Sequence, residues 1–240
     1  MKILPARTPL WRDPLFIWPL IALVAALSII HVGRFDIGIA DAIYRLEGGQ
    51  WYFRHKWLTS VVLHKYAQRF SILIGVITLG IAIASHFSNR LAPFRRGLWM
   101  AFSSAIAALL LVSLSKHNLP IACPWNLQRY GGDYAGITPL HFYWGSDVSG
   151  CFPAGHAAAG YCLLAWFFFA RYYRFANYGY AVLPGLLLGL LYSTTQEMRG
   201  AHFLSHDVVS IALCWFVPYL GFRYLMPGEH SASSESSVAG

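Results

Sequence analysis

Charge is what this chain has least of. Only 12% of its 240 residues are Asp, Glu, Lys or Arg, about half of the roughly 25% found in an ordinary soluble domain. That shortage excludes a water-soluble globular protein, because too few charges are present to coat a wet surface. Acids are the scarcer sign, 10 against 18 Lys and Arg, which leaves a net charge of +8. The basic residues stand between apolar runs, so anionic headgroups and topology signals account for them better than nucleic acid does. Cysteine is limited to four residues without metal-ligand spacing. Nothing resembles a linker to a second domain, and there is no internal repeat.

What the chain has instead is apolar sequence: 57% hydrophobic residues and a mean hydropathy of +0.48. Six apolar segments can be read, at 15–32, 70–87, 98–114, 157–173, 179–194 and 208–226. A helix needs about 20 residues to cross a ~30 Å hydrocarbon core. The fourth and fifth segments are short by that measure, so their ends should lie near the membrane surface or in a protein-lined cavity. The expectation is an all-α, polytopic membrane helix bundle of six transmembrane helices in one domain spanning 1–226. The polar, low-complexity tail at 227–240 reads as disordered.

Between the first two segments, 51–66 alternates aromatic and basic residues and reads as an interfacial helix. It would be either an anchor or a ledge for a lipid headgroup. The first segment follows Lys2, Arg7 and Arg12, but His31-Val32-Gly33-Arg34 offers no small-x-small cleavage site, so it reads as a retained anchor. Counts of basic residues on the two sides tie. The short loop holding Arg90, Arg95 and Arg96 decides for cytoplasmic termini. Cys162 and Cys214 lie in apolar runs as inert thiols. Cys123 and Cys151 share a polar loop and could pair if it faces an oxidising compartment.

Polar residues gather in three places: Lys116 with Cys123-Pro124-Trp125; Cys151-Phe152-Pro153-Ala154-Gly155-His156; and Gln196 through Asp207. Six spans bring the end of the third, the start of the fourth and the end of the fifth to one face. Lys116, His156, Arg199, His202 and His206 should therefore meet there. Pro153-Ala154-Gly155-His156 has the form of a helix start, with free N–H groups suited to an anion and a histidine able to pass a proton. His202 and His206 are four apart and share a face if helix has begun, so one can orient the other. Arg199 offers a planar fork for phosphate and Lys116 a point charge. A zinc site would need a third ligand, and the spacing of His117 and His141 suggests none.

At these residues the chain resembles the type 2 phosphatidic acid phosphatase superfamily, which also holds the vanadium haloperoxidases. The family pattern runs K-x6-R-P, P-S-G-H, S-R-x5-H-x3-D. Lys116 and Pro124 fit the first part, with Cys123 in the arginine place; Pro153, Gly155 and His156 fit the second, with Ala154 for serine. In the third, His202 takes the nucleophile place, Gln196 the arginine place and His206 the aspartate place, with Asp207 one further on.

The resemblance implies a metal-independent phosphoric ester hydrolase without cofactor, acting on a lipid phosphate or diphosphate through a phosphohistidine. His202 would attack, His206 or Asp207 would orient it, and His156 would serve as acid and then base. Lys116, Arg199, Arg129 and the N–H groups at Ala154 and Gly155 would hold the phosphate. Trp51, Trp57, Trp125 and Trp144 would flank the headgroup. The localisation expected is a bacterial inner membrane with the site on the periplasmic face. Lipid phosphate transfer, or anionic-lipid binding without turnover, are the alternatives; the particular lipid and the oligomeric state stay open.

Overall fold

The computed structural model of the protein describes residues 8–136, 141–144, 148 and 150–226. The tail at 227–240, read from sequence as disordered, lies outside the described residues. Within them regular structure is helical, with only two isolated β-bridges, Ile121–Phe142 and Leu127–Tyr134.

Helix α1 spans Pro14–Val32. Asp13 caps it, accepting the Leu15 N–H at 3.0 Å, and Pro14 fills a first-turn position where no N–H is required. The same carboxylate accepts from the Tyr219 hydroxyl at 2.9 Å and Arg223 at 2.5 Å. One acid thus ties the start of α1 to the end of the last helix. Helix α2, Phe35–Leu46, follows a left-handed Arg34 and was not anticipated from sequence.

The interfacial helix expected at 51–66 is not a separate element. Only a 3-10 turn at Tyr52–Arg54 stands apart. Leu58–Tyr66 is π-helical and runs directly into α3, Ala67–Ala84, as one 27-residue helix. No proline interrupts it and no glycine occurs before Gly75, so nothing local stops the helix at the interface.

Then come α4, Arg95–Asn118; α5, Gly155–Tyr161; a 3-10 turn, Cys162–Leu164; α6, Ala165–Tyr172; α7, Leu183–Met198; and α8, Leu204–Tyr224. Among the described residues four helices are long and apolar enough to cross a membrane: Pro14–Val32, Leu58–Ala84, Ala92–Asn118 and Leu204–Tyr224. The other two expected spans are the short ones. The fourth is broken by the 3-10 turn between α5 and α6. The fifth, α7, has 16 residues, about 24 Å of helix against a ~30 Å core.

α4 lies along α8 and α5 along α7. The second contact is made backbone to backbone: a Cβ on Gly160 would sit 2.5 Å from the Gly189 nitrogen, and one on Gly189 would strike the Tyr161 ring. Small residues permit such an approach where lipid supplies no hydrophobic drive between helices. α1 and the Leu58–Ala84 helix are outer elements, with 6% and 11% of their apolar windows buried, against 33% and 39% for the helices containing α4 and α8. Phe167, Phe168, Phe169, Tyr219 and Phe222 close one end of the bundle around Leu98 and Ala101. At the other end, the last turn of α4 and the first of α5 meet the α7–α8 junction and the first turns of the Leu58–Ala84 helix.

Candidate active site

α4 ends by carrying Lys116 against the start of α5. A Cβ on Gly155 would lie 3.4 Å from the Lys116 Cδ and 3.7 Å from its ammonium nitrogen. The Lys116 side chain thus lies directly over the backbone at 155, at van der Waals distance from where a side chain would begin. His156 follows directly. Its Nε2 is 3.2 Å from the Leu63 carbonyl, and its ring lies 4.5 Å from His64 and 4.9 Å from Tyr192.

The α7–α8 junction is pinned before it presents its residues. Gly200 has φ +68°, and a Cβ there would enter the Trp51 ring at 2.4 Å; the Gly200 carbonyl accepts from Trp125 N–H at 3.0 Å. The positive φ and the close approach of Trp51 both require glycine. Trp51 is accordingly buried with Tyr44 and Tyr130, not set in a headgroup belt. Trp57 and Trp144 are exposed, and Trp125 carries Arg54 over its ring at 4.2 Å.

Arg199 donates from Nε to the Arg54 carbonyl at 3.3 Å and from a terminal N–H to the Gln196 Oε1 at 3.0 Å. His202 comes next and is buried. Burial, then the neighbouring His206 and Lys116, hold its pKa well below that of a free imidazole, although a hydrogen bond to the Cys151 backbone works the other way. Among the described residues its Nδ1 has no hydrogen-bond partner.

Several expectations are corrected by this geometry. α8 begins at Leu204, so His202 precedes the helix and the shared-face argument for His202 and His206 does not apply. Their rings nonetheless meet edge to face at 5.8 Å, with Phe152 against His206 at 5.2 Å. Asp207 is buried facing Ser193 and Glu197, and His202 is not among the groups it interacts with. Ala154 offers no free N–H, since that group donates to the His206 carbonyl at 3.3 Å and the residue is fully buried. Arg129 forks onto Asp41, at 2.7 Å from Nε and 2.5 Å from a terminal nitrogen. The guanidinium holds the Asp41 carboxyl below the usual carboxylate range. Arg129 is thus a brace between α2 and the Lys116 loop and not part of the phosphate set.

Two features had no sequence signal strong enough to find them. His64 lies mid-helix without a motif, yet its Nδ1 is 3.1 Å from the Gln196 amide nitrogen. Asp36 of α2 is buried and accepts the Ser205 N–H at 2.8 Å. It thereby caps α8, whose own N-cap, Phe203, has no side-chain acceptor. Burial pushes the Asp36 carboxyl upward against that hydrogen bond. Cys123 and Cys151 are joined as a disulfide with Cα atoms 5.2 Å apart. Among the described residues no group of three or more His, Cys, Asp or Glu side chains is arranged to hold a metal ion.

An ammonium, a guanidinium and several imidazoles around one small space are suited to receiving a phosphate dianion. No match was found among curated proteins or among solved structures. Residues 96–228, over half of the 240-residue chain, do match a family profile. That stretch runs from the start of α4 past the end of α8 and contains Lys116, His156, Arg199 and His202; the chain belongs to the PAP2 superfamily, whose members are phosphatases acting on phosphate esters.

Proposed function

We propose that the protein is a membrane lipid phosphatase that hydrolyses a phosphomonoester or diphosphate through a phosphohistidine, without a metal. The observation that carries this is the convergence of Lys116, His156, Arg199 and the neutral His202 at one end of a bundle whose outer helices are apolar. Neutral His202 attacks phosphorus, and the bond to the leaving oxygen breaks. Protonated His156 gives that oxygen its proton. In the second step His156 takes a proton from water, the hydroxide attacks phosphorus, and His202 leaves. Lys116 and the N–H groups of Arg199 not engaged by Arg54 and Gln196 stabilise the equatorial oxygens. His206, edge-on to His202, takes the positioning role.

A lipid substrate follows from placement. A headgroup at the bundle end can present phosphate while its tails remain in the bilayer. We read the short α5–α6 and α7 segments as the fourth and fifth of six spans, with both termini cytoplasmic and the site end periplasmic in a bacterial inner membrane.

The test is phosphate release by purified protein in detergent from a panel of lipid phosphates and diphosphates. Wild-type turnover should resist EDTA and be inhibited by vanadate. His202→Ala and His156→Ala should each lose at least about 100-fold, as removal of a nucleophile or acid–base group does. Activity abolished by EDTA and restored by one divalent ion, or full activity in His202→Ala, would sink the reading.

A further inference from the structure

Three histidines meet at this site besides His206, and the mechanism above leaves one of them without a task. His64, on the Leu58–Ala84 helix, is half-buried with its ring 4.5 Å from His156. Its Nδ1 faces the Gln196 Nε2 at 3.1 Å, and the Gln196 Oε1 faces an Arg199 N–H at 3.0 Å.

The direction of this chain follows from donor chemistry. A guanidinium only donates, so the Gln196 atom facing Arg199 is its carbonyl oxygen. The amide nitrogen is then the one facing His64. It can only donate, so His64 Nδ1 accepts and carries no proton. In the neutral ring the proton therefore sits on Nε2. His156 is set by the same logic: its Nε2 faces the Leu63 carbonyl, an acceptor only, so Nε2 keeps its proton and Nδ1 is the atom that gains and gives up the proton moved in the mechanism. Gln196 is neutral and brings no charge of its own. Its role is to convert the position of Arg199 into the tautomer of His64.

We propose that His64 is a phosphate-binding residue of this site, its Nε2–H donating to an oxygen of the substrate phosphoryl group while the Arg199–Gln196–His64 chain holds it in that tautomer. The proposal rests on the phosphatase reading and deepens it. Among the described residues no hydrogen bond engages the His64 Nε2. Lys116 and Arg199 both lie near enough to bear on His64 electrostatically, which sets the ring beside the two cations assigned to the phosphate. A ring serving only to pack on His156 would need no fixed tautomer.

The experiment compares wild type with His64→Leu, His64→Asn and His64→Gln, reading lipid phosphate turnover and orthovanadate affinity by thermal shift in detergent. Gln places an amide nitrogen where the imidazole Nε2 lies; Asn places its amide at the Nδ1 position and Leu supplies none. Loss of a hydrogen bond to a charged acceptor should lower kcat/KM and vanadate affinity roughly 10- to 100-fold in the Leu and Asn variants. His64→Gln should stay within about 10-fold of wild type.

Leu and Asn variants equal to wild type in both readouts, with His156→Ala inactive, would overturn the role of His64 and leave the phosphatase reading standing. Equal losses in all three variants, Gln included, would mean the ring is required for packing, and the donor role falls. If wild type releases no phosphate, the phosphatase reading fails first. Vanadate binding weakened by His64→Leu and kept by His64→Gln would still uphold His64 as an oxyanion ligand. Vanadate binding that is absent, or unchanged by His64→Leu, would overturn that too.

Discussion

His202 is an imidazole that its surroundings keep from taking a proton. Burial is the first cause and the adjacent His206 and Lys116 follow. An imidazole whose folded pKa lies below about 6.5 binds fewer protons than it does in the unfolded chain. Its contribution to stability is complete above that pH and declines as the pH falls from about 6.5 toward the folded value. Histidine ring NMR in detergent, assigned with His202→Ala, should find His202 still neutral at pH 6.5. A midpoint at or above that value would contradict the buried, neutral state of this ring. His202, His156, Lys116 and Arg199 were legible because motif order and span parity need only local information. His64 was not, because a histidine in mid-helix with no motif around it is indistinguishable from a packed one until Gln196, 132 residues further on, is seen to face it.

Among the elements, α2 is the one that sequence reading overlooked. It is short and lies between two better signals, the first span and the aromatic–basic stretch. Its task is to bring Asp36 to the first turn of α8 and Asp41 to Arg129. Asp36 supplies from another helix the acceptor that Phe203 lacks. Asp36→Ala should therefore cost about 1–3 kcal/mol, the range for orphaning a buried donor. Asp36→Asn keeps an acceptor for the Ser205 N–H and should cost less. Thermal melts in detergent distinguish them, and equal melting of both variants and wild type would remove the capping role. In the Leu58–Ala84 helix, sequence reading separated what the backbone joins. Charged and aromatic side chains suggested an interfacial element, but backbone continuity depends on breakers, and none stands between Leu58 and Gly75.

The whole molecule is polarised, with an aromatic core at one end and the histidine cluster at the other. The Cys123–Cys151 disulfide belongs to the second end and links the loop after Lys116 to the segment before His156. Cys151 also bonds through its N–H to the Ile121 carbonyl at 2.8 Å and touches His202 through its backbone. Structural disulfides persist only in oxidising compartments, so this bridge reports which side the site faces. Alkylation of intact cells followed by non-reducing electrophoresis should find the pair oxidised. Two free thiols in freshly lysed cells would place the site end in the cytoplasm. Reduction should also lower the melting point, since closing a loop with a sequence separation of 28 is worth about 3 kcal/mol.

Bilayer as solvent, helix as the class of structure, and the order and common end of the family motifs were all determined by the sequence itself. Hydropathy and helix counting are local quantities that add along a chain. Only the tertiary structure decided which polar atoms are still available. Arg129 is committed to Asp41, the Ala154 N–H to His206, and Asp207 is turned toward Ser193 and Glu197. Those commitments are made between groups far apart in sequence. A donor or acceptor is spent or free according to what lies within about 3 Å of it, and that distance is set by helix packing and not by spacing along the chain.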